Sequence, residues 1–261
     1  MNILITSKTG YLSKSLVKFL SPNHEITCIG RQDLMLTDRD AVAEWFQDKH
    51  FDVVLHAAIS GGNRLIQEVD SILSDNLKMF FNLLNQKHKY DKFINFGSIA
   101  EHNLHDSIYG LSKNIIAKYI KDESKFYNLR ICGLFDHNDL DTRLIKSNIN
   151  KYIQKKDIII HNNKRMDFIY MQDLIAIVKY YITNINLPKT IDCVYNEKYS
   201  LMSIANLINS LNTYKCKVNL ENNNDVKDYI GDGETLKNLK LQLIGLQEGI
   251  KQTYLNLLIN E

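Results

Sequence analysis

MNILITSKTGYLSKSLVKFL (1–20) decides how the rest of this chain is read. NILIT (2–6) has the length and the unbroken apolar character of a buried strand. T-S-K-T-G-Y-L-S (6–13) then turns tightly into a helix from about Gly10 to Leu20. A strand, a tight turn and a helix in this order aim backbone N–H groups at a pyrophosphate, and the positive end of the helix dipole adds to the attraction. Of the usual glycines only Gly10 is present, and Ser7 and Ser13 hold the other two places. Serine crowds the backbone and disfavours positive φ. Taken by itself, the loop fits an ordinary turn between strand and helix equally well.

The alternation continues outward. EITCIG (25–30) reads as a second strand, followed by a helix over 38–48 capped by Thr37 or Asp38. DVVLHAA (52–58) and KFINFGS (92–98) are a third and fourth strand around a long helix over 69–87, and YNLRICGLF (127–135) is a fifth. Strands alternating with helices at this spacing imply a parallel sheet covered on both faces. Beyond 136 the rhythm loosens into DIIIH (157–161), a helix near 171–185, DCVYN (192–196), a helix over 201–211 and a last helix over 246–259. The expected fold is α/β, a doubly wound parallel Rossmann sheet with a smaller mixed C-terminal substrate lobe. Residues 1–135 with part of 157–195 form the first domain, and 136–261 form most of the second. In such sheets ligands lie beyond the carboxyl ends of the strands, where Ser7, Arg31, Ala58, Ser98 and Cys132 all fall.

Composition narrows the function classes. A net charge of +2 with interspersed signs in 261 residues implies no surface for a nucleic acid polymer. No apolar run approaches the ~20 residues that span a bilayer, and the polar residues that follow MNILIT do not suit a signal peptide. Cys28, Cys132, Cys193 and Cys216 are scattered without metal-ligand spacing, so no metal is expected, and reduced thiols point to a cytoplasmic protein. ENNND (221–225) reads as a surface loop.

Tyr109 and Lys113 stand one helical turn apart in IYGLSKNIIAKYI, and Ser98 closes the apolar run upstream. A phenol ionises near pH ~10, and a neighbouring cation stabilises its anion. Such a tyrosine can exchange a proton in neutral water, and a serine hydroxyl adds a hydrogen bond at the oxygen being reduced or oxidised. The trio has the chemistry of hydride transfer. Arg31 follows the second strand, where an acidic group would favour NAD, and an arginine there suits the 2′-phosphate of NADP(H). Lys8 offers a second positive charge. Solvated surface positions are the plain alternative for both.

MNILITSKTGYL, GRQDLMLTDRDAV, DVVLHAAISGG, NFGS, YGLSK and MDFIYMQDL, in this order, resemble the extended short-chain dehydrogenase/reductase family. Within its nucleotide-sugar branch, also called the NAD-dependent epimerase/dehydratase family, the chain is similar to the GDP-L-fucose synthase, dTDP-4-dehydrorhamnose reductase and CDP-paratose synthase groups. The resemblance covers residues 1–185 clearly and the C-terminal lobe loosely. It makes Tyr109 the general acid, Lys113 the group that lowers its pKa and holds the nicotinamide ribose, and Ser98 the hydroxyl partner. It places Ser7, Lys8, Thr9, Gly10, Tyr11 and Leu12 under the pyrophosphate and Ala57, Ala58 and Ile59 beside the adenosine half. Gly97 with Ser98, and Cys132 with Leu134, fall near the nicotinamide; Gly133 stands in place of the family's asparagine. The family's dimer, built from a four-helix bundle, implies a homodimer through the helices over 69–87 and 107–122.

The departures bear on the reaction. Sugar 4,6-dehydratases carry an Asp-Glu pair where this chain has Ile99 and Ala100, so elimination lacks its acid and base. Ala100 also replaces the cysteine used for epimerisation at carbons 3 and 5, and no histidine lies around Arg143. Tyr109 follows Ser98 by only eleven positions, where nucleotide-sugar relatives have a longer loop. His102 and His105 lie in that short loop, and His102 is a candidate substrate contact. Arg165 stands one place before the family's arginine, which aligns with Met166. Arg143, Arg165 and Lys227 are candidates by type for a substrate diphosphate. The resulting expectation is NADPH-dependent reduction of a nucleotide-diphospho-4-keto-6-deoxy sugar, a hexose or heptose, for a bacterial surface polysaccharide. An epimerase with retained NAD, a non-catalytic dinucleotide sensor and an ordinary carbonyl reductase are the alternatives.

Overall fold

The computed structural model describes residues 1–62, 67–102, 107–222 and 224–259. In chain order its strands are β1 (Asn2–Thr6), β2 (Glu25–Ile29), β3 (Phe51–His56), β4 (Tyr90–Ser98), β5 (Phe126–Ile131), β6 (Gly133–Phe135), β7 (Ile158–Asn162), β8 (Phe168–Tyr170), β9 (Thr190–Cys193) and β10 (Val218–Asn222). The helices are α1 (Tyr11–Leu20), α2 (Arg39–Trp45), α3 (Ser71–Leu84), α4 (Ile108–Asp122), α5 (Leu144–Ile153), α6 (Met171–Thr183), α7 (Leu201–Asn209), α8 (Glu234–Asn238) and α9 (Leu246–Ile259).

Six strands form one sheet in the order β2-β1-β3-β4-β5-β9. β1 pairs in parallel with β2 on one side and β3 on the other, and β3 pairs in parallel with β4. The chain thus winds outward in both directions from β1, the arrangement that opens a ligand crevice at the carboxyl ends of the central strands. Unbroken apolar runs make this possible: Ile3, Leu4 and Ile5 are fully buried, as are Val54 and Leu55 on the next strand. Asp38 caps α2, its Oδ1 accepting from the N–H groups of Asp40 and Ala41 at 3.0 Å each.

The expected doubly wound α/β sheet is present, with local corrections. The run 127–135 is two strands: β5 stays in the main sheet, and β6 pairs in parallel with β8 in a separate two-stranded sheet. The helix over 38–48 ends at Trp45, and the strand read at 192–196 lies earlier, at Thr190–Cys193. α5, β8, β10 and α8 have no counterpart in the sequence reading. Glu221 and Asn222 close β10 rather than opening a loop, and Asn223 lies outside the described residues.

The chain divides into two compact units, 1–130 with 178–191, and 131–177 with 192–261. The first contains most of the large sheet and an aromatic-rich core around Phe46, Phe80, Phe93 and Phe126. The second has its own core, in which Ile145, Ile149, Ile158, Ile160, Ile204 and Ile250 are buried. There the buried Asp173 accepts the N–H groups of Ile244 (2.7 Å) and Gly245 (2.9 Å), anchoring the chain before α9. Among the described residues, no helix is long and apolar enough to cross a membrane, and no cluster of three or more His, Cys, Asp or Glu side chains is arranged for a metal ion.

Candidate active site

The turn after β1 is held from several sides. Ser7 has a left-handed backbone, φ 74°, at a place where glycine would be unstrained. Its carbonyl accepts the Gly10 N–H at 2.8 Å, and the Lys8 N–H reaches Ile29 O at 3.0 Å. A Cβ on Gly10 would lie 2.7 Å from Ser7 Oγ, so the second glycine place admits no side chain without movement. Ser13 adapts better. It sits inside α1, 1% exposed, and its hydroxyl donates to Thr6 O at 2.9 Å, pinning helix to strand.

α1 begins at Tyr11 with no side-chain cap and no acidic residue in its first turn. The positive end of its dipole therefore has no carboxylate from its own first turn beside it, an arrangement that suits an anion. Thr6 Oγ1 accepts the N–H groups of Ala57 (3.0 Å) and Ala58 (2.8 Å), drawing the ends of β1 and β3 together. A hydroxyl has one proton to give. It therefore goes to His56 Nδ1, 3.2 Å away, which fixes that ring as a neutral acceptor; burial also lowers the His56 pKa, to about 3.

At the end of β2, Arg31 is exposed. Lys8 is not an unengaged charge: its Nζ lies 3.3 Å from Asp33 Oδ2, and the same carboxylate accepts the Gly30 N–H at 2.9 Å. The Gly30 hydrogen bond, then Lys8, hold the Asp33 pKa below its ordinary value.

β4 delivers Ser98 and α4 delivers the tyrosine and lysine. The first turn of α4 is capped twice. Ser107 Oγ accepts the Gly110 N–H at 3.0 Å and donates to Glu68 Oε1 at 2.9 Å, while Glu68 Oε2 accepts the Tyr109 N–H at 3.1 Å. Gly62, at φ 78°, lies close against the Tyr109 ring; a Cβ there would be 3.0 Å from Tyr109 Cε2. Lys113 Nζ is 6.0 Å from the centre of that ring and donates to Phe96 O at 2.6 Å. Lys113 is 4% exposed, and burial pushes its pKa down while Glu101 pushes it up. Ser98 Oγ accepts the Ala100 N–H at 3.1 Å, leaving the hydroxyl proton for an acceptor in front of it.

Side chains that the sequence reading passed over complete this half of the site. Asn76 on α3 accepts the Ser60 N–H at 2.7 Å and donates to Ser60 O and Ser112 Oγ, both at 3.0 Å, so one amide holds the turn after β3 against α4. Its signal was a lone polar residue on an otherwise apolar helix face. Behind Ser98, Glu101 is 3% exposed and accepts the Ser98 N–H. Nothing in SIAEH marks this glutamate as buried.

The remaining candidates fall elsewhere. His102 is exposed at the end of the short turn after β4, and His105 lies outside the described residues. In the second unit, Cys132 Sγ donates to Tyr229 O at 3.5 Å, Leu134 is in β6, and Gly133 leaves space filled by Phe168. Arg143 is exposed at the start of α5. Arg165 is held by Asp228, Nε to Oδ2 at 2.7 Å, so its charge is already countered.

A family model for the NAD dependent epimerase/dehydratase family matches residues 3–196. The chain belongs to that family. No curated protein matches it. Among solved structures, this family member is similar to GDP-D-glycero-L-gluco-heptose synthase from Campylobacter jejuni, crystallised in the presence of NADPH: TM-score 0.84 and 18% identity over 100% of this chain and 98% of that one. It is also similar to MlghC, a GDP-mannoheptose C4 reductase from the same organism with NADP bound (0.82 and 18%, over 97% of each chain). The UDP-glucose 4-epimerase of Thermotoga maritima, solved with UDP-glucose, is comparably similar (0.81 and 15%, over 100% and 99%). At these identities the likeness is one of fold.

Proposed function

We propose that this member of the family is an NADP(H)-dependent reductase of the 4-keto group of a nucleotide-diphospho sugar, a 6-deoxyhexose or heptose destined for a bacterial surface polysaccharide. One observation carries the reading. Tyr109 and Lys113 share the first turns of a doubly capped helix, with Ser98 at the end of β4, while the two positions after Ser98 hold Ile99 and Ala100. A site with this trio and no carboxylate at either position is equipped to move a hydride and a proton, and not to eliminate water.

The dinucleotide, when bound, supplies the hydride. The uncapped start of α1 with Ser7 to Leu12 holds its pyrophosphate, Ala57 to Ile59 border its adenosine half, and Arg31 meets the 2′-phosphate. Ser98 donates its hydroxyl proton in a hydrogen bond to the keto oxygen and orients it. Tyr109 transfers its phenolic proton to that oxygen as it becomes an alkoxide. The Lys113 ammonium, fixed by Phe96 O, stabilises the phenolate left behind and turns its remaining donors to the ribose. The products are the alcohol and NADP⁺, with one proton drawn from water. Neighbours of the same fold crystallised with NADP or NADPH are consistent with this cofactor. Arg143 is the candidate contact for the substrate diphosphate. We also propose a homodimer through α3 and α4, on which Leu111 and Tyr119 remain exposed.

Tyr109→Phe removes the proton and leaves the ring. Turnover is expected to fall at least about a hundredfold while NADPH binding, followed by fluorescence, is retained. Unchanged turnover would remove Tyr109 from the mechanism.

A further inference from the structure

We propose that Glu101 is a positioning residue of this site: its carboxylate seats the Ser98 backbone and supplies the negative charge that faces Lys113. The proposal rests on the reductase reading for its consequence in turnover, but its physical content can be measured without substrate.

The carboxylate has a built seat. Glu101 Oε1 accepts the Ser98 N–H at 3.0 Å, and both oxygens accept from Asn128 Nδ2 at 3.1 Å. Asn128, fully buried on β5, presents its Nδ2 to the carboxylate while its Oδ1 accepts from Asn95 Nδ2 on β4 at 2.7 Å. The face that Asn128 presents is a donor, and the Glu101 oxygens are its acceptors. Gly97 vacates the necessary room: a Cβ there would lie 2.3 Å from Glu101 Oε1 and 2.5 Å from Asn128 Oδ1. The glycine preceding Ser98 is thus explained by the carboxylate behind it. Asn114 Nδ2 on α4 donates to Glu101 O at 3.1 Å, tying the turn to the residue after Lys113.

Charge gives the second half of the argument. A buried ammonium is costly unless opposed by negative charge. Lys113 Nζ, from α4, sits on Phe96 O at 2.6 Å and Glu101 Oε1 on the Ser98 N–H at 3.0 Å, two residues further along β4, so the two charges lie against the same stretch of strand. Arg130, on β5, adds a second positive charge acting on Glu101. His102, Lys118 and Lys121 line the adjoining cleft with Arg130. His56, on β3, faces Lys113 but is neutral. Burial pushes Glu101 up and Lys113 down, and each charge opposes the shift of the other. Glu101 is buried behind the Ser98 backbone and its oxygens are engaged there. It acts through Ser98 and Lys113, and leaves the reaction without the acid and base of an elimination.

Glu101→Gln keeps the size and removes the charge. The test uses the full chain labelled with ε-13C lysine, saturated with NADPH, with the Lys113 resonance assigned by its loss in Lys113→Met. In Glu101→Gln the Lys113 midpoint is expected to fall by about one pH unit, and in Glu101→Asp, which restores the charge, to return toward the wild-type value. With substrate, kcat for Glu101→Gln is expected to drop about tenfold, its alkaline limb moving down with Lys113, while KM for NADPH stays within about twofold. An unmoved Lys113 midpoint in both variants overturns the proposal, as does a fall in kcat without a shift of the limb. If the wild-type protein reduces no nucleotide sugar, the reductase reading fails, and the lysine titration still decides the part played by Glu101.

Discussion

Ser7 carries a conformation that its side chain opposes. A non-glycine residue at φ 74° costs about 1–2 kcal/mol in the folded state, and part of that returns because serine restricts the unfolded chain more than glycine does. Ser7→Gly is therefore expected to stabilise the protein by about 0.5–1 kcal/mol, measured by urea unfolding. A loss of stability would show that the hydroxyl compensates the strain. The sequence exposed this residue because the turn expected to hold a pyrophosphate has fixed glycine places. It exposed Ser98, Tyr109 and Lys113 for a similar reason, since the chemistry proposed for them needs fixed residue types at fixed spacing. Glu101 was hidden because its role comes from what surrounds it. Asn128 and Asn95 sit on strands that read simply as apolar, and the room beside Gly97 exists only once β4 and β5 are neighbours.

Elements were legible wherever length and apolar pattern determine them. NILIT is β1 residue for residue, and the last helix runs over 246–259 as its pattern implied. The run 127–135 was not separable, because nothing in its pattern marks where one strand ends and the next begins. β5 and β6 are parted only by Cys132 and belong to different sheets. The junction of β1 with β3 has a consequence in acid. Buried His56 stays neutral down to about pH 3, whereas an unfolded histidine takes up a proton below ~6.5. The unfolded state binds more protons between these values, so this stability is complete above ~6.5 and is lost as pH falls toward 3. At pH 5 the loss is about 2 kcal/mol. His56→Asn keeps an acceptor for the Thr6 hydroxyl and does not titrate. Its thermal stability between pH 7 and pH 5 is expected to fall less than that of the wild type, and an equal fall would contradict the assignment.

At the scale of the whole molecule, the large sheet gathers the candidate groups at the carboxyl ends of its strands. Ser7 follows β1, Arg31 lies just beyond β2, Ala57 follows β3 and Ser98 closes β4. That placement was legible in the order of the elements. The C-terminal unit was less so, because its short paired strands and five-residue α8 lack periodic signal. The fold is shared by reductases and epimerases alike, so the reaction rests on the side chains this chain places at that edge. The most direct measurement is oxidation of NADPH by the purified protein against freshly generated GDP-, CDP-, dTDP- and UDP-4-keto-6-deoxy sugars, with NADH in parallel. Rapid turnover of one sugar, with NADPH preferred, is the expected result. Silence across the panel from a protein that purifies with NAD bound and interconverts nucleotide-sugar epimers would contradict the reductase assignment.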